Sequence, residues 1–201
     1  MKLPPATGNF KPAPAGSHIA VCIKFVDLGT QVTEYKGEVK HKRIVMISWE
    51  LANEPMDDGR PYIVSQRYTW SMDPKSTLRK HLESWRGKAF SDDDLGENGF
   101  DVRRLLGVPC SMFVTHSENG QYANISAIGP MPKGMPRPEP TNELVYFSLE
   151  PGSFAQHVYE GMSQKLRETI AKSPEYLSAT TGKPIVTQTL QNGDPNDEIP
   201  F

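Results

Sequence analysis

The sequence predicts a mainly β fold with some α-structure: five strands rolled into a small barrel, a helical insertion between the third and fourth strands, and a C-terminal helix. Three observations predict it. Apolar and polar residues alternate with a period of two in three stretches between His18 and Met72. Helical spacing replaces that alternation from Pro74 to Leu106, and a hairpin pattern returns from Cys110 to Ile128.

The first strand starts at His18, where Ile19, Val21, Ile23 and Phe25 alternate with Ala20, Cys22 and Lys24, and it ends at Asp27 to Gly29. A loop passes through Tyr35 and Gly37. The second strand runs from about Lys40 to Leu51. It sets Val45, Ile47, Trp49 and Leu51 on one face and Lys42, Ile44, Met46, Ser48 and Glu50 on the other. After a turn at Asp57-Asp58-Gly59, the third strand spans about Pro61 to Met72. Tyr62, Val64, Tyr68 and Trp70 share one side, and Ser65, Arg67, Thr69 and Ser71 share the opposite side.

Asp73 as N-cap and Pro74 at the first helical position open a helix through Lys75 to Arg86, with Leu78, Leu82 and Trp85 as its core stripe. A polar run at Ser91 to Asp94 precedes a short helix through Val102, Leu105 and Leu106, closed by Gly107. Strands Cys110–Ser117 and Gln121–Ile128 meet at Glu118-Asn119-Gly120, where Asn-Gly is a strong hairpin signal. Three strands, a helical insertion and a hairpin is the strand order of an OB-fold, a barrel that often binds single strands across one face.

Around this centre the chain divides by composition. Residues 1–17 carry Pro4, Pro5, Pro12 and Pro14 and read as a flexible Pro-rich arm; 18–130 is the barrel domain. Residues 131–176 form a Pro-rich strap, a short strand from Leu144 to Leu149, and a helix marked by Phe154, Val158, Met162, Leu166 and Ile170 that ends at Lys172. The barrel and a second subunit are the two candidate partners for that helix's apolar stripe, so homo-oligomerisation stays open. Residues 177–201 are polar and turn-rich, the composition of a disordered tail.

Charge and composition exclude several classes. The net charge is -2, and 37% of the 201 residues are hydrophobic, with 18 prolines. Phosphate neutralisation by Lys and Arg supplies most non-specific nucleic-acid affinity, so the distribution of charge matters more than its sum. Between Lys36 and Lys88, 11 basic residues face 7 acidic ones, a modest basic region. The two cysteines, Cys22 and Cys110, lie in apolar strand-like runs without a CxxC pairing, which reads as buried small hydrophobes. The N-terminus has no apolar signal core and no stretch has the length of a membrane span, so a cytoplasmic protein is expected.

No Gly-rich phosphate loop, nucleophile elbow or metal-ligand spacing occurs, and no enzyme activity, metal or cofactor is expected. The acids Asp92, Asp93, Asp94, Glu97 and Asp101 read as a solvated or helix-capping run rather than a divalent-metal site.

The chain ends in Asp197-Glu198-Ile199-Pro200-Phe201. This terminus resembles the acidic Ile-Pro-Phe tip of bacterial single-stranded DNA-binding proteins. The resemblance implies that Phe201 fills an apolar pocket of a replication or recombination enzyme, that its carboxylate meets a base there, and that Asp197 and Glu198 face a cationic rim, with Ile199 and Pro200 between them. A second resemblance covers most of residues 18–150. The stretches Asp57-Asp58-Gly59-Arg60-Pro61, Arg67-Tyr68-Thr69, Leu78 to Gly87 and Leu105-Leu106-Gly107 resemble a family of phage and prophage proteins associated with single-stranded DNA binding or recombination.

The residues expected to touch DNA follow from chemistry: aromatic platforms stack bases, and cations track phosphates. On that basis Lys24, Lys40, Lys42, Arg43, Arg60 and Arg67 are the candidate phosphate contacts and Tyr35, Phe113 and Tyr122 the candidate platforms, with Tyr122 flanking Phe113 across the hairpin. Trp49, Trp70 and Trp85 are expected in the core. Two readings of function remain. One is a single-stranded DNA-binding protein that recruits partners through its tip; the other is an interaction protein that binds no DNA and mimics the tip.

Overall fold

The computed structural model describes residues 11–35, 38–96 and 99–183. Strands β1 (Gly16–Tyr35), β2 (Glu38–Pro55), β3 (Pro61–Thr69), β4 (Pro109–His116), β5 (Ala123–Gly129) and β6 (Val145–Phe147) form one sheet. The order is β3-β2-β1-β4-β5 with every neighbour antiparallel, and β6 adds to β1 in parallel. The fold is mainly β, as predicted. Among the described residues no hydrogen-bonded ladder joins β5 to β3, so the observed pairing is an open six-stranded sheet in place of the expected closed five-stranded barrel.

β1 departs most from expectation. It does not stop at Asp27 to Gly29 but continues to Tyr35, and its register with β2 shifts between Cys22 and Lys24 and again between Asp27 and Gly29. Each irregularity inserts an unpaired residue, bends the strand and re-aims the side chains beyond it. Ala20 and Cys22 before the first shift and Phe25 after it therefore face the same core, while Val26 and Leu28 face the opposite side. A strict period of two had placed Phe25 with Val21 and Ile23.

Both sides of the sheet's centre are buried. On one side Cys22, Phe25, Val45, Ile47, Trp49, Val64 and Tyr68 pack with Cys110, Met112 and Val114 under helix α1 (Thr77–Arg86). Leu78, Leu82 and Trp85 are the buried stripe of α1, as predicted, and the Trp85 ring centroid lies 5.8 Å from that of Trp49. Trp85 Nε1 donates to the Pro109 carbonyl at 3.0 Å, which satisfies its polar atom inside the core. The helix starts later than expected. Ser76, not Asp73, is the N-cap: its hydroxyl accepts from Arg79 N–H and donates to the Ser71 carbonyl. Asp73 instead closes a turn by accepting from Lys75 N–H at 2.8 Å.

On the other side Val26, Leu28, Ile44 and Phe147 pack with Leu149, Met162 and Ile170. The single helix predicted to end at Lys172 is two, α3 (Gln156–Glu160) and α4 (Gln164–Ala171), numbered after a short α2 (Asp92–Leu95), and a further helix, α5 (Pro174–Thr181), follows where none was predicted. α5 runs past residue 177, where the disordered tail was expected to begin. Ser173 caps it through Tyr176 N–H, and Glu175, 9% exposed, accepts from both the amide and the hydroxyl of Thr30. The N-terminal arm is also shorter than predicted. Ala13 is buried in the main core, and its carbonyl is 2.8 Å from His116 Nε2.

Two solution properties follow from this packing. Burial pushes the Cys22 thiol up to about 12 and raises that of Cys110 as well. Thiol reagents are therefore expected to label neither cysteine until the chain unfolds, which a labelling time course with and without denaturant reads directly; prompt labelling of the native chain would contradict the buried placement. His81 lies 3.0 Å from the Tyr68 hydroxyl, and burial holds its pKa below the usual 6.5. The unfolded chain then takes up this proton first as the pH falls. Stability from His81 is present above pH 6.5 and declines below it, seen as a falling melting temperature that an His81→Gln variant shows to a smaller degree.

Candidate nucleic-acid interface

The outer face of β1 and β2, where most candidate phosphate contacts were expected, is largely covered by the chain's own C-terminal segment. Ile44 belongs to the second core, and Lys42 is 5% exposed. Lys42 is thus corrected from a solvent-facing cation to a buried one. Further along β2, Glu50 is buried and accepts from the amides of Thr141 and Asn142 and from Asn142 Nδ2, which pins the Pro-rich strap to the sheet. Lys24 is half-buried between Ser48 of β2 and Val145 of β6 in the strand register. Alternation placed these residues on the polar face of a half-buried strand; here a sheet covered on both faces overrides it.

Several of the bases are paired locally. Arg43 meets Asp27 at 2.6 Å, Arg60 meets Asp58 at 2.6 Å, and Lys40 lies 4.0 Å from Glu38. Outside the candidate set, Arg79 pairs with Glu83, Arg86 with Asp94 and Arg103 with Asp101. Asp27 is the hub of the inner pair, because it also accepts from the amides of Gly29 and Leu149. Arg43 therefore acts as a strut between β1 and β2. Arg60 is exposed, and its hydrogen bond to Asp58 raises its pKa. Among the described residues Arg67, half-buried on β3 opposite Met46, makes no ion pair.

The aromatic candidates separate. Phe113 is 45% exposed between buried Met112 and Val114, the alternation expected of β4. Tyr122 is exposed too, but it does not flank Phe113. Ser117 N–H donates to the Tyr122 carbonyl at 3.0 Å, whereas Phe113 pairs with Ala127. Four residues of strand, about 13 Å, lie between the two positions. Tyr35 ends β1 opposite Glu38, and its side chain lies outside the described residues.

Trp70 is the aromatic residue that the sequence reading misplaced. It was expected in the core, yet it is 36% exposed just past the end of β3. Its amide donates to the Arg43 carbonyl at 2.7 Å, and its ring stands edge-on to Phe25 at 5.9 Å. Phe25 in turn stacks on Tyr146 at 5.9 Å with 19° between the planes, and the Arg103 guanidinium lies 5.9 Å from the Tyr146 centroid. A cavity of about 30 Å³ opens between Trp70, Phe25, Tyr146, Arg43, Asp27 and Glu150. The available signal was the position of Trp70 four residues before Pro74, where the strand pattern was already giving way to the helix.

Other expectations resolve locally. Asp92 and Asp93 begin α2, and Asp94 completes a capping box with Ser91. Among the described residues no three His, Cys, Asp or Glu side chains converge as metal ligands would, and no helix is long and apolar enough to cross a membrane. Lys133 and Arg137 are exposed on the strap. The tip residues Asp197, Glu198, Ile199, Pro200 and Phe201 lie outside the described residues. No protein-family model matches this chain, and none of the curated proteins compared with it is similar.

Proposed function

We propose that this chain is a single-stranded DNA-binding protein of the kind phages encode, coating exposed strands without sequence preference during replication and recombination in the host cytoplasm. Its tip, Asp197 to Phe201, would recruit processing enzymes. The observation that carries the reading is the exposure of large aromatic side chains, Phe113 on β4 and Tyr122 and Trp70 beside strand ends, on a sheet whose order β3-β2-β1-β4-β5 is compatible with an opened OB-fold. Joining β3 to β5 would complete the barrel order, and exposed rings on such a surface are the chemistry of base stacking. Arg67 on β3 and the exposed Lys133 and Arg137 of the strap, which make no ion pair among the described residues, are candidates to follow phosphates.

A second reading is favoured by one observation: Arg43, Arg60, Arg79, Arg86 and Arg103 are each held by an acid. A protein that spends its arginines this way resembles an interaction module more than a polyelectrolyte binder. Anisotropy titration of labelled single-stranded and duplex oligonucleotides at two salt concentrations separates the readings. Salt-sensitive binding that prefers single strands is expected, and Phe113→Ala should weaken it by roughly 5-fold or more, the lower range for one stacked base. Equal affinity for duplex, or no binding at low salt, would favour the interaction module.

A further inference from the structure

We infer that Trp70 and Tyr146 form a stacking position for one unpaired base at the rim of the main core, a site separate from Phe113 and resting on the single-stranded DNA reading. Trp49 and Trp85 are 1% and 5% exposed, so Trp70 is the indole that the core does not absorb. Its ring makes a T-shaped contact with Phe25, which is itself stacked on Tyr146, so the indole is braced and still 36% exposed. Its amide donates to the Arg43 carbonyl of β2, which anchors the ring beside the end of β3.

The chemistry of the rim selects a base over a phosphate. Arg43 is paired with Asp27, and Glu150 lines the same opening, so the inner rim offers little net positive charge. A nucleobase is a neutral aromatic ring and needs none. The cavity of about 30 Å³ holds no more than about one water, so the base lies across the mouth against the indole face and does not enter. The cations stand one step outside. The Arg103 side chain is 67% exposed over Tyr146, and Arg104 beside it is exposed. A surface pair such as Arg103–Asp101 is weak enough to release its guanidinium to a flanking phosphate.

Because the other two indoles are buried out of reach of a stacked base, quenching of the intrinsic fluorescence by a bound oligonucleotide reports on Trp70. Titration of the full chain with unlabelled oligo-dT is expected to quench the emission, and Trp70→Phe to abolish the quenching while keeping the edge contact to Phe25. Trp70→Ala should weaken oligonucleotide binding about 5- to 150-fold, the span of one stacked base. Thermal unfolding of both variants checks that the fold is retained. Full affinity of Trp70→Ala with no quenching in the parent chain would overturn this site and leave the DNA reading standing. Absence of any binding by anisotropy would overturn both. Equal quenching by a short Pro-Phe peptide would assign the rim to a peptide ligand and overturn the base assignment.

Discussion

Asp27→Ala is expected to destabilise the fold by about 3 kcal/mol, among the largest effects of any single substitution here. The Asp27 carboxylate is nearly buried and holds three elements at once: Arg43 of β2, the Gly29 amide after the β1 bulge, and the Leu149 amide beyond β6. Removing it leaves two amides without their acceptor and a half-buried guanidinium without its partner. Breaking a fully buried pair costs about 3–5 kcal/mol, and Arg43 keeps some access to water, which places this case at the low end. Asp27→Asn should cost less than alanine but more than a surface change, since the amide presents a donor where Arg43 also donates. Urea unfolding at neutral pH reads both; a loss under about 1 kcal/mol for alanine would mean the hub is not a unit.

Gly29→Ala is expected to release α5 from the sheet. Gly29 has φ of 70°, a conformation that an L side chain adopts at a cost of about 1–3 kcal/mol. The position is also sterically closed, because an added Cβ would collide with the Ser173 side chain and press on the Glu175 carboxylate. Ser173 caps α5 and Glu175 satisfies Thr30, so the methyl group strikes the two residues that dock this helix. The expected signature is local: faster hydrogen exchange at the Thr30 amide and across Pro174–Thr181, with α1 and β4 protected as before. Unchanged protection at Thr30 would show that the helix does not depend on this approach. The same change at Gly152, where nothing lies within 4 Å although φ is also positive, supplies the control for backbone strain alone.

Both substitutions act at the β1 irregularities, and these mark where the sequence stopped being legible. Alternation located β2, β3 and β4 to within a few residues, because their main-core residues (Val45, Ile47, Trp49; Val64, Tyr68; Cys110, Met112, Val114) keep a period of two, and the Asn-Gly turn located β5. It also found the buried stripe of α1 and the outward Phe113. It failed along β1, where an inserted residue inverts the phase without leaving a glycine or proline at the first shift. It failed at Asp73 too, where Asp-Pro resembles a helix start and Ser76, three residues on, makes the capping bond. The C-terminal helices were read as one because Phe154, Val158, Met162, Leu166 and Ile170 keep helical spacing across the break at Gly161 to Ser163.

The candidate site was less legible than the fold, since it depends on exposure and pairing. Lys42 and Phe113 occupy equivalent outward positions by alternation, yet one is buried and the other stands in solvent. Segments distant in sequence, the strap pinned by Glu50 and the helices docked through Glu175, pack on parts of β1 and β2, while Phe113 on β4 stays exposed. Arg43 and Asp27 likewise meet across a strand pair, 16 positions apart.

What the sequence alone determined is therefore what local periodicity and turn chemistry encode: a mainly β chain, the order of its strands, the insertion of α1, and which face of each regular strand is apolar. The tertiary structure decided which polar faces remain surface. A strand's own residues state only that a face tolerates water; whether water reaches it depends on what packs there. That is why Lys42 left the candidate interface and Trp70, assigned to the core, entered it.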